Sequence, residues 1–98
     1  MGITLTCELI TPEIAASLLE SSYPKYYKGH LNNWLVQRYA DAMLAGEWDE
    51  TIPTPIVVDE DGMLGDGRHR MAAIVKSKVA IYMCVIRNVP REDITKYY

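Results

Sequence analysis

The sequence predicts an α+β domain, a small mixed sheet packed with three to four helices. Three observations lead there. Apolar runs near both ends of the chain alternate or persist as strands do. The segments between them carry apolar residues at helical spacing, opened by capping residues or closed by glycine. The resulting order, β-α-α-β-β-α-β-α, neither alternates strictly nor separates strands from helices. At 98 residues the chain has the length of one domain, spanning 1–98.

The first strand is read from Ile3, Leu5, Cys7 and Leu9, which alternate with Thr4, Thr6 and Glu8. This is the period of a half-buried strand. Thr11-Pro12-Glu13 opens a helix. Threonine suits the cap, proline the first helical position and glutamate the positive end of the dipole. Ile14, Ala15, Leu18 and Leu19 share its inner face, and the helix should fade near Ser21 and Ser22.

Residues 23–30 read as a loop punctuated by Pro24 and Gly29, holding Tyr23, Tyr26, Tyr27, Lys25, Lys28 and His30. Leu31, Trp34, Leu35, Tyr39, Ala42 and Met43 then fall at helical spacing, with Gly46 as the stop and Trp48 folding back on the core. Pro53 and Pro55 frame the apolar run Ile56-Val57-Val58. Asp59-Glu60-Asp61-Gly62 is a hairpin turn, and Met63-Leu64 the return strand.

Gly65-Asp66-Gly67 leads into a helix over 68–77, with Ala72, Ala73 and Val75 among its packing residues. The apolar run over 79–86 is a long strand, central to the sheet. Pro90-Arg91-Glu92-Asp93 begins a last helical turn, and 94–98 is a short tail.

The charge is −3, from ten basic and thirteen acidic residues. A protein built to grip a nucleic-acid backbone carries a basic balance, so non-specific nucleic-acid binding is not expected. Cys7 and Cys84 are too distant for a short metal spacing and too few for a disulfide scaffold. They read as buried small hydrophobes in a reducing compartment. No basic n-region precedes the first apolar run, and no stretch reaches the ~20 apolar residues that cross a bilayer. The expected location is the cytoplasm, with no membrane association.

The densest polar constellation is Gly65-Asp66-Gly67-Arg68-His69-Arg70, between a strand and a helix. A helix N-terminus offers unbonded N–H groups and partial positive charge, and glycines let a ligand approach the backbone. Arg68 and Arg70 in the first turn oppose the dipole. A phosphate would reverse that balance, and arginine forks match its oxygens. Asp66 is tolerable there as a cap, as an arginine partner, or as a ligand for a divalent cation bridging to phosphate. Neither the Walker loop nor the dinucleotide fingerprint matches.

Leu64-Gly65-Asp66-Gly67-Arg68-His69-Arg70-Met71-Ala72-Ala73, followed by the strand over 79–86, resembles the signature of the ParB/sulfiredoxin-like superfamily. It is nearest the "DGQHR" or "DGHHR" form of phage and mobile-element proteins. Ile10-Thr11-Pro12-Glu13-Ile14-Ala15, Val36-Gln37-Arg38-Tyr39-Ala40-Asp41-Ala42-Met43, Gly46-Glu47-Trp48 and Pro55-Ile56-Val57-Val58-Asp59-Glu60-Asp61-Gly62 resemble the same group. The match covers most of the chain in the right order.

The resemblance implies that Gly67, Arg68, His69 and Arg70 line a pocket for nucleotide phosphates. The nucleotide is CTP in ParB proteins and ATP or ADP in sulfiredoxins and a free-serine kinase. It also implies a phage or mobile-element source and a host-cell cytoplasm. Two departures narrow the function. Arg68 stands where sulfiredoxins carry their reactive cysteine, so reductase chemistry is not expected. The chain ends at Tyr98 without a helix-turn-helix domain, so site-specific DNA partitioning is not expected. Arg68 also replaces the glutamine common in the phage group, and Gly65 an aliphatic residue.

The leading expectation is thus a stand-alone ParB-like domain. It binds a nucleotide or another phosphorylated small molecule at Gly65, Gly67, Arg68, His69 and Arg70, with a nucleoside triphosphate and Mg2+ as the candidate cofactor. Hydrolysis or phosphotransfer is left open, with Asp66 and His69 as the candidate catalytic pair. Elsewhere a histidine like His69 serves as a structural hydrogen-bond donor. With only two histidines, no zinc site is expected.

Glu47, Asp49 and Glu50, and Asp59, Glu60 and Asp61, read as solvated acidic turns; the functional alternative is a base or magnesium ligand. The lysines and tyrosines of 23–30 suit a core edge, a stacking surface for bases, or a protein partner. The rival function is a non-enzymatic interaction protein that binds a host protein. A DNA-binding or nuclease role ranks below both. The first helix and the edges of a small sheet leave a homodimer open.

Overall fold

Period-two runs become strands and period-3.6 runs become helices in the order predicted. The computed structural model describes residues 2–21, 31–48 and 55–97. It contains β1 (Thr4–Ile10), α1 (Pro12–Ser21), α2 (Asn33–Leu44), β2 (Ile56–Asp59), β3 (Leu64–Asp66), α3 (Arg68–Ser77) and β4 (Ile81–Val89), closed by a 3-10 helix over Arg91–Tyr97. The strands form one mixed sheet, β1-β4-β2-β3. β4 is internal, antiparallel to β1 and parallel to β2, and β2 and β3 form an antiparallel hairpin. The three α-helices lie on one face, with α3 packed against both α1 and α2.

The principal core lies between helices and sheet. Ala15 and Leu18 of α1, Val36, Ala40 and Met43 of α2, and Met71, Ala73 and Ile74 of α3 meet Ile10, Ile56, Val58, Leu64, Ile81, Met83 and Val85. A smaller cluster of Val57, Val89 and Ile94 closes part of the other face. Val89 reaches that face through an irregularity. Ile56 and Val57 pair with Val85 and Ile86, but Asp59 pairs with Val89, so two steps along β2 match three along β4. Asn88, at φ 63°, takes up the extra residue and reverses the alternation after Arg87.

Caps fix the helix ends. Thr11 Oγ1 accepts from Ile14 N–H at 3.2 Å, with Pro12 at the first helical position. α2 ends in a Schellman motif: Glu47 N–H donates to Ala42 O at 2.8 Å and Gly46 N–H to Met43 O at 3.3 Å. The positive φ of 71° that this needs falls on Gly46. Trp48 returns to the core and meets Tyr39 edge-on at 5.1 Å.

Several side-chain expectations are corrected. β1 is an edge strand whose apolar row faces away from the helices. Only its last residue, Ile10, is buried, and Leu5 is 67% exposed. Cys7 is consequently exposed and Cys84 half-buried, so neither is a buried core residue. Trp34 is 65% exposed, because α2 presents Val36, Ala40 and Met43 inward. It lies instead beneath Arg38, 5.0 Å from ring to guanidinium. Ile14 and Val75 also point outward.

Asp59 is buried rather than solvated. Its Oδ1 accepts from the N–H groups of Asp61 and Met63, both at 2.9 Å, and shapes the hairpin turn. The segment read as a tail is helical to Tyr97, and Ile94 is buried beneath it. β4 begins at Ile81 and runs to Val89, two to three residues later than its apolar run suggested. The readings on residues 22–30, 49, 50 and 53, including His30 and the tyrosine–lysine loop, lie outside the described residues.

Candidate functional site

The hairpin delivers β3 to the start of α3. Val57 pairs with Asp66 and Val58 with Leu64, so one step along β2 spans two along β3, and Gly65 is the extra residue. A Cβ at Gly65 would meet Ile94 Cγ1 at 2.5 Å and Cδ1 at 2.7 Å. Gly67 is the N-cap of α3 in the left-handed region, φ 115°, and its missing Cβ faces the Ile56 side chain. Both glycines therefore let the strand–turn–helix close onto protein. Sequence reasoning assigned them to ligand approach. Their contacts here are Ile94 and Ile56.

Asp66 does not cap the helix. Gly67 holds that position, and no side chain bonds the cap. Met71 N–H closes the first helical hydrogen bond, onto Gly67 O at 2.9 Å. The amides of Arg68, His69 and Arg70 thus lie ahead of the helical ladder. The first turn contains no acidic residue and two arginines. The arrangement concentrates positive charge where the dipole is already positive, which costs a few tenths to about 1 kcal/mol per arginine.

The two arginines differ in setting. The Arg70 side chain is 14% exposed and its Nη2 lies 3.8 Å from Asp66 Oδ2. The same Nη2 donates to Pro55 O at 3.3 Å, tying the turn to the entry of β2. Arg68 is half-buried in the same turn.

His69 has a partner that the sequence did not suggest. Asn32 N–H donates to His69 Nε2 at 3.0 Å. The alternative reading of His69 was a structural hydrogen-bond donor, and here its Nε2 accepts. Asn32 is the N-cap of α2, and its Oδ1 accepts from Leu35 N–H at 3.1 Å. The bond therefore brings the N-termini of α2 and α3 together, and neither first turn contains an acidic residue. An asparagine just ahead of a helical run is a capping signal, so Asn32 was legible as a cap; its pairing with His69 was not.

The structure brings Gly65, Asp66, Gly67, Arg68, His69 and Arg70 into one turn. Asp66 faces Arg70, and His69 faces Asn32. Among the described residues these two candidate catalytic groups share no hydrogen bond, and none of the described residues forms a cluster of three or more metal-ligating side chains. The turn is thus equipped to hold an anion by amides and guanidinium groups. Among the described residues no helix is long and apolar enough to cross a membrane. Comparison of the chain with protein-family models, with curated proteins and with solved structures returns no match.

Proposed function

We propose that the protein is a ParB/sulfiredoxin-like domain that binds the phosphate group of a nucleotide or another phosphorylated small molecule at Gly65–Arg70. The observation that carries this reading is the meeting of two helix N-termini at the Asn32–His69 hydrogen bond. Each terminus presents partial positive charge. Arg68 and Arg70 add two cations to the same place, Asp66 lies 3.8 Å from Arg70, and neither first turn contains an acidic residue. An anion turns an unfavourable local balance into a favourable one.

The amides of the first turn of α3 would take equatorial oxygens, and Arg68 would close over them. Arg70, held by Pro55 O and Asp66, sets the shape of the turn. Asp66 is the residue that would meet a magnesium ion carried in on the phosphates, since Mg2+ needs few protein ligands when phosphate supplies the rest. His69 holds the two helices in register through Nε2. This is a binding function, with no turnover step assigned to Asp66 or His69.

The test is thermal unfolding against nucleoside mono-, di- and triphosphates, with and without magnesium. A ligand at 100 times its dissociation constant adds about 2.7 kcal/mol. Each kcal/mol raises the midpoint of a domain this size by roughly 4–8 °C. The expected result is a rise with one nucleotide class that Arg68→Ala reduces to about half or less. No rise with any of them overturns the reading of the site as one for a nucleotide.

A second reading, an interaction protein that engages a host protein, is favoured by the uncovered apolar row of β1 and β4, where Leu5, Leu9 and Tyr82 are exposed. Capture of one stoichiometric partner by the wild type and not by Leu5→Lys, indifferent to nucleotide, would support it over the first.

A further inference from the structure

The pairing of β1 with β4 sets Cys7 directly opposite Cys84. We infer that these two residues form a cross-strand dithiol, a site of reversible oxidation that exchanges with small-molecule disulfides and closes into an intramolecular disulfide. Directly opposed residues of an antiparallel pair share a face of the sheet, with Cα atoms about 4.5–5.5 Å apart. A disulfide accepts Cα separations of about 4.4–6.8 Å. The backbone is therefore already within bonding range although the two cysteines are separated by most of the chain.

The side chains lie on the face away from the helices, flanked by the pairs Leu5–Ile86 and Leu9–Tyr82. Cys7 is exposed and Cys84 half-buried, so a small disulfide can reach Cys7 first. Disulfide Cβ atoms sit about 3.8 Å apart, somewhat closer than a typical cross-strand pair. Closure must draw the two strands together slightly. β1 is paired on one side only and can yield. A bridge formed with some strain is more readily reduced than a relaxed one, which suits a reversible modification.

The chemistry balances as an exchange. The Cys7 thiolate attacks one sulfur of the small disulfide, making a mixed disulfide and expelling one thiolate. The Cys84 thiolate then attacks the Cys7 sulfur, forming the Cys7–Cys84 bond and expelling the second thiolate. The two protons lost by the protein thiols are taken up by the two released thiolates. The protein is oxidised by two electrons and the small disulfide is reduced by two.

The experiment is incubation of the reduced protein with oxidised glutathione, followed by intact-mass measurement and non-reducing electrophoresis. The expected product is a monomer lighter by two hydrogens, with no glutathione retained, resistant to iodoacetamide and restored by dithiothreitol. Cys84→Ser should stop at the first step and keep one glutathione. A wild-type protein that keeps two glutathiones, links into dimers or remains fully alkylatable would overturn the inference.

Discussion

Asn32 N–H and His69 Nε2 meet at 3.0 Å across 37 residues of chain, and this bond sets the start of α2 against the start of α3. A side-chain acceptor for a backbone amide contributes about 0.5–1.5 kcal/mol. His69→Ala should lower the unfolding midpoint by roughly 2–12 °C, with little change in the denaturant slope. Asn32→Ala, which deletes the α2 cap but keeps the amide that His69 accepts, should cost about 1 kcal/mol separately. If His69→Ala left the stability unchanged, the bond would not be holding the helices together.

Arg68 and Arg70 should both contribute to phosphate binding. Arg70 is held by Pro55 O and faces Asp66. Arg70→Ala should therefore destabilise the fold by about 1–3 kcal/mol, because it leaves the Pro55 carbonyl short of its donor, and should weaken phosphate binding as well. Arg68→Ala should reduce nucleotide affinity at least tenfold, the scale of one lost charge-assisted hydrogen bond. Calorimetric titration and thermal unfolding of the two variants check both halves.

Gly65 should tolerate no side chain while Ile94 is present. The added methyl would meet Ile94 Cγ1 and Cδ1 at 2.5 and 2.7 Å, and overpacking of this kind costs about 1–3 kcal/mol. Ile94 is the far end of a side chain from the terminal 3-10 helix, so the clash is relieved by shortening it. Ile94→Ala alone should cost about 2–5 kcal/mol for its cavity. The double variant should be more stable than the sum of the two single losses, by 0.5 kcal/mol or more on the scale typical of contacting residues. Strict additivity in denaturant unfolding would show that the two positions do not meet.

The contrast between Gly65 and Gly46 shows what was legible in the sequence and what was not. Gly46 ends a helix, a local matter of backbone conformation, and its role could be read from its neighbours alone. Gly65 answers to Ile94, nearly thirty positions later, and its reason lies in tertiary packing. The same division runs through the molecule. Thr11-Pro12, Gly62 and the 3.6-residue spacing gave the elements in order. The direction in which β1 turns its apolar row depended on which face the helices cover, and the alternation of Leu5, Cys7 and Leu9 is identical either way. In the candidate site the cluster of Asp66, Arg68, His69 and Arg70 was visible as a string. That Asp66 could partner an arginine was among the readings the string offered, and Arg70 lies four residues on; that the cap would fall to Gly67 was not, and that His69 would reach Asn32 followed from the approach of α2, which no local pattern encodes.

Glu8 and Arg87 provide a prediction in pH. Arg87 donates through Nε to Glu8 Oε2 at 2.8 Å and through Nη2 to Oε1 at 2.7 Å, and Thr6 Oγ1 donates to the same carboxylate. The Arg87 hydrogen bonds, acting against partial burial and helped by Thr6, hold the Glu8 carboxyl below its usual range. A carboxyl depressed in the folded state stabilises the fold above its unfolded value, about 4.3, and loses that contribution as pH falls through the depressed folded value. Arg87, raised from its own ordinary value by the same contact, stays charged throughout. Both side chains are about one-third exposed, which limits the pair to about 1 kcal/mol or less. The stability difference between wild type and Glu8→Gln should therefore be constant from pH 7 down to about pH 5 and should shrink progressively below about pH 4. The same difference measured in an Arg87→Met background should be smaller at neutral pH and nearly flat with pH. Urea unfolding across the range decides it. An undiminished difference at pH 3 would show that Glu8 contributes by packing rather than through its charge.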